Sequence, residues 1–161
     1  MLKYYFAFGS NMNPQRMKKR GVKFKSCQRA VLKDYKLVFN KQAYRGNPNE
    51  GYANIEPCEG CIVEGVLYEL RYPEEGIAKL DYYEGFYGEN DPENHYNRVI
   101  VEVETDDGRK VKAYTYIANP RRVNNNLKPT EDYKKNLLEA CELGILSEEY
   151  CKFLRSVETL D

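Results

Sequence analysis

"YYFAFGSNMNP", residues Tyr4–Pro14, joins a short aromatic run to a Gly-Ser-Asn turn. The run Tyr4–Phe8 carries no charge, which is typical of a buried β-strand, and it is too short for a helix with a 3.6-residue repeat. Asn13 followed by Pro14 has the residue types of a helix N-cap and first helical position. We therefore predict a strand, a tight turn over Gly9–Asn13 whose unclaimed backbone N–H groups form a small anion cradle, and a helix.

The length of 161 residues predicts a single domain, residues 1–161, with its own hydrophobic core. No apolar run approaches membrane-spanning length, and the N-terminus lacks an apolar signal segment, so we expect a cytoplasmic protein that does not contact a membrane. The net charge is zero, but residues 1–50 hold 12 Lys or Arg and 2 Asp or Glu. The basic stretch Arg16–Lys25 fits either nucleic-acid binding or a solvated helix face, and we expect the solvated face.

The five cysteines form no regular disulfide framework, and we expect them to be reduced. Cys58 and Cys61 form a CxxC, but the only histidine, His95, has no ligand spacing to a second pair. A redox CxxC usually begins a helix, whereas this one reads as a turn before a strand. We therefore expect no metal site and no disulfide chemistry.

The middle of the chain predicts mainly strands. Alternating apolar residues in Cys27–Asn40 slip once, between Leu32 and Tyr35, which indicates a β-bulge or a bend. Residues 41–52 are polar and rich in turn formers, which predicts a loop. Two further strands are expected in "ANIEP" and "CIVEGVLYEL", the second interrupted at Gly65.

The second half predicts one hairpin and three helices. The first helix begins near Pro73 and ends at Gly85. The second runs from about 131 to 143, and the third runs from 147 to about 156. The hairpin spans Tyr96–Ala118 around Asp106-Asp107-Gly108. Because the helices do not alternate regularly with the strands, a doubly wound parallel sheet is not expected. We predict an α+β fold, a small mixed β-barrel with peripheral helices.

The inventory of reactive side chains favours a single carboxylate as the reacting group. With one histidine and no metal set, Ser-His catalysis has little support, and Ser10 does not lie in a G-x-S-x-G motif. A carboxylate held partly out of water can serve as general acid and base near neutral pH. Glu84, in "LDYYEGFYG", has aromatic neighbours that could desolvate it. Its local context alone still favours an exposed position at a helix end.

Six short motifs follow one another along nearly the whole chain. They are "YFAFGSNM" (5–12), "GYANIEP" (51–57), "EGVLYEL" (64–70), "LDYYEGF" (80–86), "AYTYIA" (113–118) and "KPTEDYKKNLLEACELGILSEEY" (128–150). In this order they resemble the γ-glutamylcyclotransferase family. The resemblance implies a small mixed β-barrel, no cofactor and no metal, and release of 5-oxoproline from a small-molecule γ-glutamyl substrate.

The resemblance also implies a set of site residues. Glu84 matches the catalytic glutamate, and Tyr116 matches a tyrosine that contacts the substrate. The residues that match the turn holding the γ-glutamyl group are Tyr5, Phe6, Ala7, Phe8, Gly9 and Ser10. Phe8 departs from the family, whose members usually carry Tyr there, so the role of that hydroxyl is lost or supplied elsewhere. The Gly-Ser-Asn ending favours the γ-glutamyl amino acid branch or the related enzyme that unmasks an acylated antibiotic.

The implied reaction agrees with the inventory because the substrate's α-amine attacks its own γ-carbonyl. Neither a protein nucleophile nor a metal is needed. Glu84 would move the proton from the α-ammonium to the leaving amine, and turn N–H groups would stabilise the oxyanion. The alternative is a non-catalytic barrel that binds a γ-glutamyl compound or another small carboxylate, and Phe8 is the residue that favours it.

Overall fold

The computed structural model describes residues 1–161 and contains five strands and four helices. In chain order they are β1 (Tyr4–Ala7), α1 (Pro14–Lys19), β2 (Phe24–Gln42), β3 (Gly51–Leu70), α2 (Pro73–Glu84), β4 (Tyr96–Thr105), β5 (Lys110–Ala118), α3 (Glu131–Glu142) and α4 (Glu148–Ser156). Short 3₁₀ turns occupy Ser10–Met12 and Pro120–Arg122. None of the helices has the length and apolar character required to cross a lipid bilayer.

The strands form a closed barrel in the order β1-β3-β2-β4-β5. All of its neighbouring pairs are antiparallel except β1 and β5, which meet in parallel at Tyr5 and Tyr114 and so close the barrel. The predicted α+β class, a small mixed β-barrel with peripheral helices, is confirmed. The predicted hairpin is the β4–β5 pair, with Gly108 in the left-handed conformation at its turn.

The long strands β2 and β3 differ in part from the sequence prediction. The expected bulge is confirmed, because the pairing passes from Lys33↔Ile62 to Tyr35↔Pro57 and leaves the segment between Pro57 and Ile62 as an extra loop. The two strands expected in this region are one element, β3. The loop predicted over 41–52 is shorter, because β2 continues to Gln42 and β3 begins at Gly51.

Gly65 does not interrupt β3 as the sequence suggested. It stays in the ladder opposite Ala30. A Cβ at this position would lie 2.4 Å from the carbonyl oxygen of Ala7 and 2.7 Å from the ring of Phe6. The glycine therefore provides the space that the end of β1 needs beside β3.

The expectation of five reduced cysteines is wrong for this structure. Cys58 joins Cys61 and Cys141 joins Cys151, with Cα–Cα distances of 5.5 and 5.9 Å, and only Cys27 is free. The extra loop in β3 brings the first pair together, and the packing of α3 on α4 brings the second pair together. No cluster of three or more His, Cys, Asp or Glu side chains is placed to hold a metal ion.

The helix ends agree with the predicted capping residues. Asn13 accepts a hydrogen bond from the backbone N–H of Gln15 at the start of α1, and Ser147 accepts one from Tyr150 at the start of α4. Gly85 ends α2 with a φ of 68°. Asn13 therefore fixes where α1 begins and Gly85 fixes where α2 ends, and both positions lie beside the turn that follows β1.

The hydrophobic core fills the barrel and continues under the helices as one cluster of 33 buried residues. Phe6, Ala7 and Tyr68 belong to its fully buried part, together with Met12 and Met17 from the segment after β1. Tyr68 also donates a hydrogen bond of 2.6 Å to the carbonyl of Asn11. The buried Tyr68 thus holds the Gly-Ser-Asn turn against the core.

Candidate active site

A cavity of about 540 Å³ lies where the opening turn, the end of α2 and the start of α3 meet the barrel. The sequence-predicted residues on its wall are Tyr5, Phe8, Gly9, Ser10, Glu84 and Tyr116. Phe6 and Ala7 are not on this wall and are fully buried in the core. Phe6 faces away because consecutive strand residues point to opposite sides, and Ala7, paired with Val66 on β3, is buried.

The opening turn offers fewer free donors than its sequence suggested. The N–H groups of Met12 and Asn13 donate to the carbonyls of Gly9 and Ser10, at 3.0 and 3.3 Å. The Gly9 N–H has no hydrogen-bond partner, and the Ser10 hydroxyl has none either. Because no base contacts Ser10, its hydroxyl is not an activated nucleophile.

Gly9 is required by space rather than by a left-handed backbone, since its φ is −119°. A Cβ there would lie 3.1 Å from the Cβ of Ala53 and 3.2 Å from the hydroxyl of Tyr133. Tyr133, on α3, accepts a hydrogen bond of 3.0 Å from the Ala53 N–H and lines the cavity. A tyrosine hydroxyl therefore does stand beside the turn, although Phe8 lacks one.

Glu84, the last residue of α2, faces the cavity and not the solvent. Its side chain is 17% exposed, and its Oε1 accepts a hydrogen bond of 3.1 Å from Asn11. The guanidinium of Arg20 lies 4.0 Å away. Burial raises the pKa of Glu84, and the nearby cations, Arg20 first, oppose that rise. Its Oε2 makes no hydrogen bond and is free to accept a proton.

Asn11 and Arg20 hold Glu84 in this orientation. Arg20 donates a hydrogen bond of 2.9 Å to the Asn11 side-chain oxygen, which leaves the Asn11 amide nitrogen to donate to Glu84 and to the Tyr5 hydroxyl at 3.0 Å. The guanidinium also stacks over the ring of Tyr83, 4.6 Å from its centroid. Asn11 had no predicted role, and Arg20 was expected on a solvated helix face.

Tyr116 lines the cavity with its ring, and its hydroxyl is already engaged. The hydroxyl donates a hydrogen bond of 2.7 Å to Asp81, whose other oxygen accepts one of 2.6 Å from Arg98. Burial and this carboxylate raise the pKa of Tyr116. The ring centroid lies 5.9 Å from that of Tyr5, edge to face. Tyr116 is thus placed as a fixed wall of the cavity.

Lys41 and His95 meet on the cavity wall, and neither was predicted there. Lys41 is 1% exposed, and its Nζ donates to His95 Nδ1 at 2.8 Å. Burial lowers the pKa of Lys41 to about 8, and burial together with Lys41 lowers the pKa of His95 to about 4. His95 is therefore neutral at pH 7. The only feature of the sequence that singled out His95 was that it is the one histidine, placed in a polar loop.

This arrangement suits proton transfer by one carboxylate. Glu84 has a raised pKa and a free oxygen, it lies in a cavity large enough for a small molecule, and tyrosine rings surround it. No activated serine or cysteine is present on the same wall. The site can therefore protonate and deprotonate a bound ligand without forming a covalent intermediate.

Comparisons with known proteins show the family of this chain. The sequence model of the family described as Gamma-glutamyl cyclotransferase, AIG2-like matches residues 5–135. The chain is 27% identical over 158 residues to Gamma-glutamylcyclotransferase of Mus musculus, covering 96% of this chain and 78% of that protein. It is 29% identical over 162 residues to Gamma-glutamylcyclotransferase of Bos taurus, covering 98% and 79%.

A solved structure described as Gamma-glutamyl cyclotransferase superposes with a TM-score of 0.80 at 25% identity, covering 98% of this chain and 89% of that one. The matched residues 5–135 include the opening turn, Glu84 and Tyr116. They also include Lys41 and His95. By its sequence and by its fold, the chain belongs to the gamma-glutamyl cyclotransferase, AIG2-like family.

Proposed function

We propose that this protein is a γ-glutamylcyclotransferase that converts a γ-glutamyl amino acid or γ-glutamyl amide into 5-oxoproline and a free amine. The observation that carries the proposal is the state of Glu84, a carboxylate with a raised pKa and an unoccupied oxygen in the cavity. The relatives named Gamma-glutamylcyclotransferase support the reaction class.

The reaction needs one proton carrier. Glu84 accepts a proton from the substrate's α-ammonium, and the resulting amine attacks the γ-carbonyl carbon, so that a C–N bond closes the five-membered ring. As the bond to the leaving amine breaks, Glu84 returns the proton to that amine. The freed Glu84 carboxylate then takes the extra proton from the ring nitrogen, which leaves the neutral lactam of 5-oxoproline, and passes that proton to the released amine or to solvent. The attack is intramolecular, which removes the need for a protein nucleophile.

The neighbours of Glu84 supply orientation and charge stabilisation. The free N–H of Gly9 is the available backbone donor for the oxyanion, with the Tyr133 hydroxyl beside it. Asn11 and Arg20 keep Glu84 pointed into the cavity. Tyr5 and Tyr116 form a rigid apolar wall against which the carbon chain of the γ-glutamyl group can pack. Phe6 and Ala7 support this wall from the core.

The test is to incubate the purified protein with a panel of γ-glutamyl amino acids and γ-glutamyl amides and to measure 5-oxoproline by chromatography. Binding of each compound is measured in parallel by calorimetry. We expect release of 5-oxoproline from at least one class, and none from Glu84→Gln. Binding without release in the unaltered protein would instead identify a non-catalytic binding barrel.

A further inference from the structure

Lys41 is a buried cation without a carboxylate partner. Two other cations that are only partly exposed each pair directly with a carboxylate, in Arg29–Glu64 at 3.0 Å and in Arg98–Asp81 at 2.6 Å. Lys41 is 1% exposed, and its ammonium pairs with no Asp or Glu. Buried charges in proteins are normally paired, because removing an ion from water is costly. The protein therefore provides no directly paired counter-ion for Lys41.

The surroundings of Lys41 stabilise its ammonium without neutralising it. His95 Nδ1 accepts one hydrogen bond, and the ring centroids of Tyr44, Tyr52 and Tyr96 lie 5.9, 5.6 and 5.2 Å from Nζ. These rings and the neutral imidazole offer partial negative charge but no full charge. The ammonium can therefore remain protonated and still attract an anion in the cavity.

His95 is held firmly enough to fix the position of Lys41. The backbone N–H of His95 donates to the carbonyl of Gly85 at 2.9 Å, and the backbone carbonyl of His95 accepts a hydrogen bond of 3.0 Å from the backbone N–H of Asn119. The ring of Tyr44 lies 4.1 Å from the imidazole, centroid to centroid. Because Gly85 also ends α2 directly after Glu84, one short segment ties the carboxylate of Glu84 to the histidine that holds Lys41.

Lys41 and Glu84 line the same cavity and act on each other electrostatically. Arg20 lies 4.0 Å from Glu84, whereas Lys41 forms no ion pair with Glu84, so the ammonium of Lys41 is available to a ligand. Arg16 is the other cavity cation without a carboxylate partner, and its Nε is buried without a hydrogen bond, but the residue as a whole is more exposed than Lys41. The deeper cation is the one that the inner end of a bound substrate would meet.

We propose that Lys41, positioned by His95, binds the α-carboxylate of the γ-glutamyl group. This inference rests on the proposed function. In a γ-glutamyl compound the α-carbon carries an ammonium and a carboxylate, so a site for this carbon needs an anion and a cation on two sides of it. Glu84 is the anion and Lys41 is the cation. The leaving amine can then extend toward the more exposed part of the cavity.

The consequence is a requirement for the negative charge of the α-carboxylate. A substrate in which this group is a carboxamide keeps the ammonium, the carbonyl and nearly the same shape, but it cannot neutralise Lys41. A hydrogen bond between charged groups contributes about 1.5–3 kcal/mol, which corresponds to about 10- to 150-fold in affinity. Only the carboxylate substrate should depend on Lys41.

The test compares γ-glutamyl-alanine with its α-carboxamide analogue in the unaltered protein and in Lys41→Met. For γ-glutamyl-alanine we expect kcat/KM to fall about 10- to 100-fold in the variant, with a change of less than threefold for the carboxamide. Lys36→Met is the matched control, because Lys36 is exposed on the same strand. This variant should leave kcat/KM unchanged for both substrates. Equal losses for both substrates in Lys41→Met, or no loss for either, would overturn the proposal. So would a carboxylate-selective loss in Arg16→Met that Lys41→Met does not show.

Binding separates this inference from the proposed function. In the Glu84→Gln background, calorimetry with both compounds measures the carboxylate preference without turnover. A preference that Lys41→Met abolishes supports the role of Lys41 even if no 5-oxoproline is ever released. Turnover of γ-glutamyl-alanine that Lys41→Met leaves unchanged would refute the role of Lys41 and leave the proposed function intact.

The positioning role of His95 has its own readout. His95→Asn keeps a hydrogen-bond acceptor near the position of Nδ1, whereas His95→Leu removes it. We expect His95→Leu to reduce the ratio of kcat/KM between the carboxylate and carboxamide substrates, and His95→Asn to restore part of it. Matched melting temperatures exclude unfolding as the cause. A ratio that is the same in both variants and in the unaltered protein would show that His95 does not position Lys41.

Discussion

Glu64 on β3 and Glu84 at the end of α2 are two glutamates whose side chains are largely buried, 4% and 17% exposed, and they are tuned in opposite directions. Burial alone would raise the pKa of Glu64, but hydrogen bonds from Arg29 and Ser147 lower it. The pKa of Glu84 is raised, because burial outweighs the attraction of Arg20 and the other cations.

The difference lies in the number of donors. Glu64 accepts three hydrogen bonds, from Arg29 Nε at 3.0 Å and from the backbone and hydroxyl of Ser147 at 2.9 and 2.5 Å. Glu84 accepts one, from a neutral amide. A carboxylate that accepts several hydrogen bonds stays ionised and stabilises the structure. Here Glu64 binds Ser147 at the start of α4 and so holds that helix on the barrel. A carboxylate with few donors is available for proton exchange.

The largest effect that tests this contrast is loss of catalysis in Glu84→Gln. Glutamine has nearly the same shape, but it cannot carry a proton from the α-ammonium to the leaving amine. We expect the rate of 5-oxoproline release to fall by about 10⁴ or more, because one group serves both proton transfers. Substrate affinity measured by calorimetry should change by no more than about tenfold. A well-folded variant with normal turnover would remove Glu84 from the mechanism.

Glu64→Gln should have the opposite profile. The amide nitrogen would face donors on Arg29 and Ser147, leaving a buried polar group without a partner, which costs about 1–3 kcal/mol in the free energy of unfolding. Urea denaturation at pH 7 measures this loss. Turnover under conditions where the variant is folded should stay within about threefold of the parent, since Glu64 does not line the cavity. A large loss of turnover with unchanged stability would end the distinction between the two glutamates.

The pH dependence of stability gives a smaller and sharper comparison. The folded pKa of Glu64 is below its ordinary value of 4.5, so its stabilisation is present above pH 4.5 and is lost as the pH falls through the folded pKa. The folded pKa of Glu84 is above 4.5, so its ionisation destabilises the fold at neutral pH and not below pH 4.5.

At pH 7 we therefore expect Glu84→Gln to melt slightly above the parent and Glu64→Gln to melt below it. The Glu84→Gln difference should shrink as the pH falls from 7 to 4.5, whereas the Glu64→Gln difference should shrink only as the pH falls below 4.5. Thermal melts followed by circular dichroism between about pH 3 and pH 7 provide the measurement. The same sign for both variants at pH 7 would contradict the assigned pKa directions.

The smallest effect is expected at the tip of the extra loop in β3, which serves neither glutamate. A double substitution, Cys58→Ser with Cys61→Ser, should leave turnover within about threefold, because this loop contributes nothing to the cavity wall. Steady-state kinetics of the variant and parent, purified side by side, measure the effect. A tenfold loss of turnover would connect this loop to the site.

Local features of the sequence predicted the fold well. The N-cap at Asn13, the helix stop at Gly85 and the β4–β5 hairpin each depend on a few adjacent residues, and the structure confirms them. Gly65 was misread because its reason is a contact with β1, which is distant in sequence. The pairing of Cys141 with Cys151 likewise depends on how α3 packs on α4.

The site was predictable only where it is local or where the family resemblance reached it. Residues 5–10 were predicted as a block, but strand alternation and packing send Phe6 and Ala7 into the core. Glu84 was assigned through the resemblance, since its local context suggested exposure. Lys41, His95 and Tyr133 come from three separate segments, and nothing in their own neighbourhoods indicates that they meet. The single domain, the cytoplasmic location and the absence of nucleic-acid binding stay predictions.

The closure of the barrel has a consequence for how the protein acquires its activity during folding. The first strand completes its place only when it meets the fifth, at Tyr5 and Tyr114, and Tyr5 is also part of the cavity wall. Pairing between segments so distant in sequence is slow to form, because the chain entropy is lost before the contact is gained. A ribosome-bound chain that lacks β5 has Glu84 but not the parts of the cavity wall that Tyr116 and α3 supply. We therefore expect activity to appear only after β1 has paired with β5 and α3 has packed on the barrel.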